Sequence, residues 1–92
     1  MILAACVIAS MYWQGQMTAS GERFKPMGMT AAMWDVPLNS RFEVEYGGRK
    51  VIVRINDRGP ARRLKRGIDL SLGAARALKF PGLGRVCLRR VG

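Results

Sequence analysis

A small, closed, mainly β barrel carrying one short helix is the fold this sequence predicts. Three observations predict it: two alternating apolar runs are joined by Gly47-Gly48, only one stretch reads as a helix, and the other apolar runs are short and bounded by turn residues. Closure follows from size. A chain of 92 residues supports one core, expected to form a single domain over residues 1–92. A sheet this small leaves its edges exposed unless it closes on itself.

The first strand is expected over Cys6 to Tyr12, within an apolar stretch that begins at Ala4. Its start, Leu3-Ala4-Ala5-Cys6, looks like the lipobox at which bacterial lipoproteins are cut and lipidated on cysteine. The segment before it is short and uncharged, so the strand reading is preferred to anchoring at Cys6. Further on, Phe42, Val44 and Tyr46 alternate with Arg41, Glu43 and Glu45, and after Gly47-Gly48 the residues Val51, Val53 and Ile55 alternate with Lys50, Ile52 and Arg54. Paired glycines supply the positive φ angles of a primed two-residue turn, which makes this a hairpin. Ser71 is expected to cap a helix from Leu72 to Lys79 that Pro81-Gly82 stops. Arg85 to Val91 forms the last strand.

Cys6 and Cys87 stand at opposite ends of the chain, at neither zinc nor redox-motif spacing. They are either two buried thiols or one disulfide between terminal strands. The free-thiol reading is preferred, because a bridge needs Cα atoms about 4.4–6.8 Å apart and one residue of register slip would violate that.

Sixteen Lys and Arg against six Asp and Glu leave a formal charge of +10, so the natural partner is a polyanion or an anionic surface. Eight of the sixteen bases fall between positions 49 and 66, where the only acid is Asp57, and they are expected to form one patch. Nucleic acid would answer the same field, but the chain holds no recognition-helix, zinc-finger or ribonucleoprotein aromatic pattern to support it. There is no apolar run long enough to span a bilayer. The absence of His excludes imidazole bases, the Ser-His and Cys-His nucleophile pairs and His-dependent metal sites, which leaves proton transfer to carboxylates or Lys.

Two segments invite a chemical reading. One is Thr18-Ala19-Ser20-Gly21-Glu22, followed by Met29-Thr30-Ala31-Ala32-Met33 and Val36-Pro37-Leu38-Asn39-Ser40; the other is Val53-Arg54-Ile55-Asn56-Asp57-Arg58-Gly59-Pro60, followed by Gly67-Ile68-Asp69-Leu70-Ser71. In this order and spacing they resemble the double-psi β-barrel domain of the rare lipoprotein A family, relatives of expansins and of some bacterial lytic transglycosylases. The likeness runs from about Val7 to Val91.

The resemblance implies a six-stranded double-psi barrel with one short helix, and a shallow groove that binds and cleaves the glycan strand of peptidoglycan without a metal or organic cofactor. It carries the acid/base role to Asp57 and a second acidic position to Glu22. Tyr12, Thr18, Ser20, Met33 and Arg58 would line the groove. This chain departs from the family at two places: Met33 stands where members commonly read Thr-Ala-Ala-His, and Lys25 where many have Asp. Hydrolysis of a glycoside normally takes two carboxyl groups. A lytic transglycosylase manages with one, because the sugar's own 6-hydroxyl closes an anhydro ring.

Structural readings stand beside these. Asp57 precedes Arg-Gly-Pro, where Asp also bonds its own backbone amides, and Asp69 is expected to fix a corner of the barrel ahead of the helix cap. The bases Arg54, Arg58 and Lys25 are expected close to Asp57. Peptidoglycan or another anionic envelope polymer is thus the expected partner, and the cell envelope (periplasm or exterior) or a virion the expected location. The alternative to an enzyme is a non-catalytic wall-binding or structural module of an envelope or phage-tail assembly.

Overall fold

The computed structural model describes residues 4–92, so the first residues of the lipobox-like segment, up to Leu3, lie outside the described residues. Six strands close into a barrel: β1 (Ala4–Tyr12), β2 (Thr30–Ala32), β3 (Arg41–Tyr46), β4 (Arg49–Asp57), β5 (Ile68–Ser71) and β6 (Leu83–Val91). One helix, α1 (Leu72–Leu78), follows β5 directly, and a single 3₁₀ turn spans Arg62–Leu64. Around the barrel the order is β1-β5-β2-β4-β3-β6. The β1–β5 and β2–β4 pairs are parallel and the rest antiparallel. This is the mainly β, six-stranded architecture with one short helix that the sequence and its resemblance imply.

Each element forms for a local reason. Gly47 and Gly48 adopt φ of 58° and 81°, the paired positive values that the β3–β4 hairpin turn requires. Val44, Val53, Ile55, Ile68, Leu70 and Val86 are fully buried inside the barrel. Burying each side chain of this size stabilises the fold by roughly 1.5–3 kcal/mol. Ser71 Oγ accepts the Ala74 amide at 3.2 Å as helix cap and donates to the Gly28 carbonyl at 2.6 Å. Helix α1 ends at Leu78, one residue earlier than expected, because Lys79 turns left-handed with φ of 53° and closes the C-cap. Ala74, Ala75 and Leu78 of α1 join the core.

Strand β2 gives no alternation in the sequence, and β5, Ile68-Asp69-Leu70-Ser71, alternates over only four residues. All three residues of β2 are buried, and β5 runs straight into the helix. Three buried residues show no polar stripe of the kind that marks a half-solvated strand, and four residues are the lower limit of a readable alternation.

The free-thiol reading of the cysteines is overturned. Cys6 lies directly opposite Cys87 in the β1–β6 register, and the two form a disulfide with Cα atoms 3.9 Å apart. The terminal strands are neighbours because the barrel closes through them, which sequence separation conceals. The sulfur that a lipid thioether at Cys6 would need is held in this bridge.

The single basic patch is also overturned. The nine residues of β4 separate Arg49 and Lys50, at the hairpin end, from Arg58 and the Arg62–Leu64 turn at the other. At about 3.3 Å per residue the strand is roughly 25 Å long, so the bases divide between two ends of the barrel. Among the described residues no helix is long and apolar enough to cross a membrane.

Gly73 sits in α1 with its amide donating to the Pro26 carbonyl at 2.8 Å, and a Cβ there would collide with the backbone of Met27. Helix propensity alone favours Gly73→Ala by about 1 kcal/mol. Backbone cannot swing aside as a side-chain tip does, so the clash should win and destabilise the protein by about 2 kcal/mol in urea unfolding. Reducing the disulfide, which links residues 81 apart, should lower unfolding free energy by about 4 kcal/mol on a chain-entropy estimate. Unfolded but unreduced protein should show no reactive thiol.

Candidate functional site

The site is built on a row of residues lying side by side across four strands. Ser10 of β1 pairs with Asp69 of β5, Asp69 with Ala32 of β2, and Ala32 with Asp57 of β4. Ala9, Ile68, Leu70 and Ala31, next to these along their strands, are all buried in the core, so the row takes the outer face. Asp57 reaches that face through an irregularity. Ala31 pairs with Ile55 but Ala32 pairs with Asp57, so Asn56 is an extra residue in β4. Without this bulge Asp57 would keep the inward phase of Val53 and Ile55. Two strand spacings of about 4.8 Å put the Cα atoms of Asp57 and Asp69 roughly 10 Å apart.

Asp57 Oδ1 accepts two backbone amides, Arg58 N at 2.8 Å and Ala19 N at 3.0 Å. The first is the local turn contact that its sequence context suggests. The second ties β4 to the loop that carries Thr18, Ser20 and Glu22, as does the bond from Ser20 N to Asn56 O at 3.1 Å. Oδ2 accepts no protein hydrogen bond among the described residues.

Asp69 was expected to hold a corner of the barrel, and its Oδ1 does accept Ser10 Oγ at 3.1 Å. It also lies in the same row as Asp57. Burial pushes its carboxyl above the ordinary aspartate range; the Ser10 bond and Arg66 oppose the shift, and the charge of Asp57 adds to it. Its sequence signal was an acid between two core residues, Ile68 and Leu70, which places it outward but says nothing of what lies across the strand.

Tyr12 ends β1 and stacks on Phe24, with ring centroids 4.6 Å apart and planes at 19°. Its hydroxyl is buried without a protein partner. Burial first, and then the charges of Asp57 and Asp69, hold the phenol well above its usual range, so it stays protonated beside the two carboxyls.

The other expected site residues are distributed differently. Arg54 grips Glu22 with two parallel bonds, Nη1 to Oε1 at 2.7 Å and Nη2 to Oε2 at 2.9 Å, and Ser20 Oγ donates to Oε1 at 2.9 Å. The Arg54 guanidinium, and after it Ser20, lower the Glu22 carboxyl to about 2. Thr18 is buried and donates to the Glu22 carbonyl at 3.0 Å, which closes the loop on itself. Arg58 turns away from the row: its Nη1 donates to the carbonyls of Met33 at 3.0 Å and Val36 at 2.6 Å. Met33 donates its amide to the Asp57 carbonyl at 3.1 Å, and its side chain packs on the core. The guanidinium groups of Arg54 and Arg58 are thus both engaged away from the Asp57 carboxylate.

Residues 4–89 match the family model described as lytic transglycolase. A probable endolytic peptidoglycan transglycosylase RlpA of Nostoc sp. is 51% identical over 84 residues, covering 84% of this chain and 22% of the relative. The probable endolytic peptidoglycan transglycosylase RlpA of Synechocystis sp. is 47% identical over 88 residues, covering 88% and 27%. The endolytic peptidoglycan transglycosylase RlpA of Pseudomonas aeruginosa is 46% identical over 74 residues, covering 78% and 21%. The chain therefore spans about a fifth to a quarter of the length of these relatives. The solved structure of Streptomyces papain inhibitor superposes with a TM-score of 0.81 over 98% of this chain and 96% of its own, at 21% identity, and shares the fold.

The two perturbed carboxyls give opposite pH dependences of stability. Glu22, lowered in the fold, contributes stability that is present above about pH 4.5 and is lost as pH falls toward 2. Asp69, raised in the fold, contributes below its unfolded value and loses that contribution as pH rises through its folded one. Asp69→Asn keeps the acceptor for Ser10 and removes the buried charge. It should therefore raise the melting temperature at pH 7, with the gain shrinking as the pH is lowered to 3.

Proposed function

The chain belongs to the lytic transglycolase family, and from that premise we propose that it cleaves peptidoglycan glycan strands by lytic transglycosylation along the outer-face row. The observation that carries this reading is the pair of carboxyls flanking Ala32, of which one is favoured in its neutral form by burial. Asp69 donates its proton to the glycosidic oxygen as the C1–O4 bond breaks. The sugar's 6-hydroxyl attacks C1, and its proton passes to Asp57, whose Oδ1 is fixed by two amides and whose Oδ2 is open. A C1–O6 bond replaces the C1–O4 bond, no water is consumed, and solvent exchange returns the proton between turnovers. The acid/base work given to Asp57 from the sequence becomes a division of labour. Tyr12 walls the groove, its buried hydroxyl keeping its proton beside the two carboxyls. Glu22, clamped by Arg54, braces the Thr18–Glu22 loop over the site.

Peptidoglycan as substrate puts the working domain in the cell envelope, where a disulfide such as Cys6–Cys87 persists. A second reading, a wall-binding module without turnover, is favoured by one feature: the position at which the resemblance implies a His in common members is Met33 in this chain, and the chain has no His elsewhere.

Digestion of purified sacculi, read by mass spectrometry for anhydro-muropeptide ends, tests the proposal. Asp57→Asn should lower the yield at least about 100-fold while wall binding persists; undiminished product would end the assignment. Met33→His should raise turnover if the groove is an enzyme lacking one family group. No product from either the wild type or Met33→His would favour the binding module.

A further inference from the structure

Beside the row, a cleft of about 400 Å³ opens between the segment after β2 and the Arg62–Gly67 segment. Met33 and Val36 form its apolar side and pack on the core. Trp34 donates Nε1 to the Pro60 carbonyl at 2.7 Å, and Arg62 lies over its ring at 4.5 Å. Arg62 is itself held by Asp35, with bonds of 3.2 and 3.3 Å. The charge of Arg62 and one indole face are therefore already occupied.

Arg66 differs. It is half-buried, and among the described residues its guanidinium forms no direct hydrogen bond or ion pair; the charge that faces it is the Asp69 carboxyl, whose ionised form it favours from a distance. Its backbone is well fixed. Gly67 donates to the Ile8 carbonyl at 2.8 Å and lies so close to β1 that a Cβ would fall 2.6 Å from Val7 Cβ. The segment then leads directly into β5 and Asp69. A partly desolvated guanidinium at the mouth of an apolar cleft suits a planar anion attached to a small alkyl group.

We propose that this cleft is a subsite for a carboxylate borne by the glycan strand, on its lactyl ether or stem peptide, with Arg66 binding the carboxylate and Met33 and Val36 taking the adjoining alkyl group. The proposal rests on the glycan-strand reading above. The lactyl ether is on C3 of the sugar whose C1 is attacked, which matches a cleft adjoining Asp69. A strand stripped of carboxylates would leave Arg66 unpaired, so the subsite selects among strands.

Calorimetric titration with short disaccharides tests this. The probes are GlcNAc–MurNAc with a free lactyl carboxylate, the same disaccharide as its lactyl carboxamide, and the disaccharide carrying a dipeptide stem. The wild type should bind at least one carboxylate form about tenfold tighter than the carboxamide. Preference for the free lactyl acid assigns the contact to the lactyl group, and preference confined to the dipeptide form assigns it to the stem. Arg66→Gln should erase the difference, Arg66→Lys should keep part of it, and Arg63→Gln, an equal loss of charge three residues earlier, should leave it intact.

Equal binding of acid and amide by the wild type overturns the subsite, as does an equal effect of Arg63→Gln and Arg66→Gln. The sacculus digestion is independent of this. Cleavage without discrimination removes the subsite and leaves the activity, whereas discrimination without cleavage does the reverse.

Discussion

One extra residue in β4 is the constraint on which the site depends. Strand β4 runs down the barrel with Val53 and Ile55 in the core, and by strict alternation Asp57 would follow them inward. Asn56 breaks the phase against β2, so the strand completes the core and then turns its last carboxylate to the outer face. The same residue gives its carbonyl to Ser20, which brings the Thr18–Glu22 loop to the end of β4. Core and site are thus adjacent parts of one strand.

Around that bulge the charges are sorted by partner and not by number. A chain with a formal charge of +10 would be expected to surround any acid with bases. Arg54 is instead fixed on Glu22 and Asn39, Arg58 on two carbonyls, and Arg62 on Asp35 and Trp34. Asp69 is left in the opposed fields of Arg66 and Asp57, with the Tyr12 hydroxyl beside the two carboxyls. The two carboxyls therefore stand in unlike surroundings, Asp57 bound by two amides and Asp69 partly desolvated.

The barrel is also closed through its ends. β1 pairs with β5 on one side and β6 on the other, and the Cys6–Cys87 bridge covalently joins the strand pair that completes the circle. A domain this small buries a limited core, so a cross-link between chain ends is a substantial share of what holds it together. Because β1 also supplies Ser10 and Tyr12, closure and the groove rely on the same strand.

What the sequence determined by itself was local. Gly47-Gly48 could only be a primed turn, Ser71 only a cap ahead of the Ala- and Leu-rich helix, and the alternation of β3 and β4 named their inward residues, because each signal lies within a few positions of what it specifies. Tertiary structure decided whatever depended on partners far along the chain. The pairing of Cys6 with Cys87, the division of the basic run between two ends of β4, the joining of Arg54 to Glu22, and the alignment of Asp69 with Asp57 across Ala32 all depend on strand order and register. Strand order and register follow from how six short strands close around one core, a condition that no single segment carries.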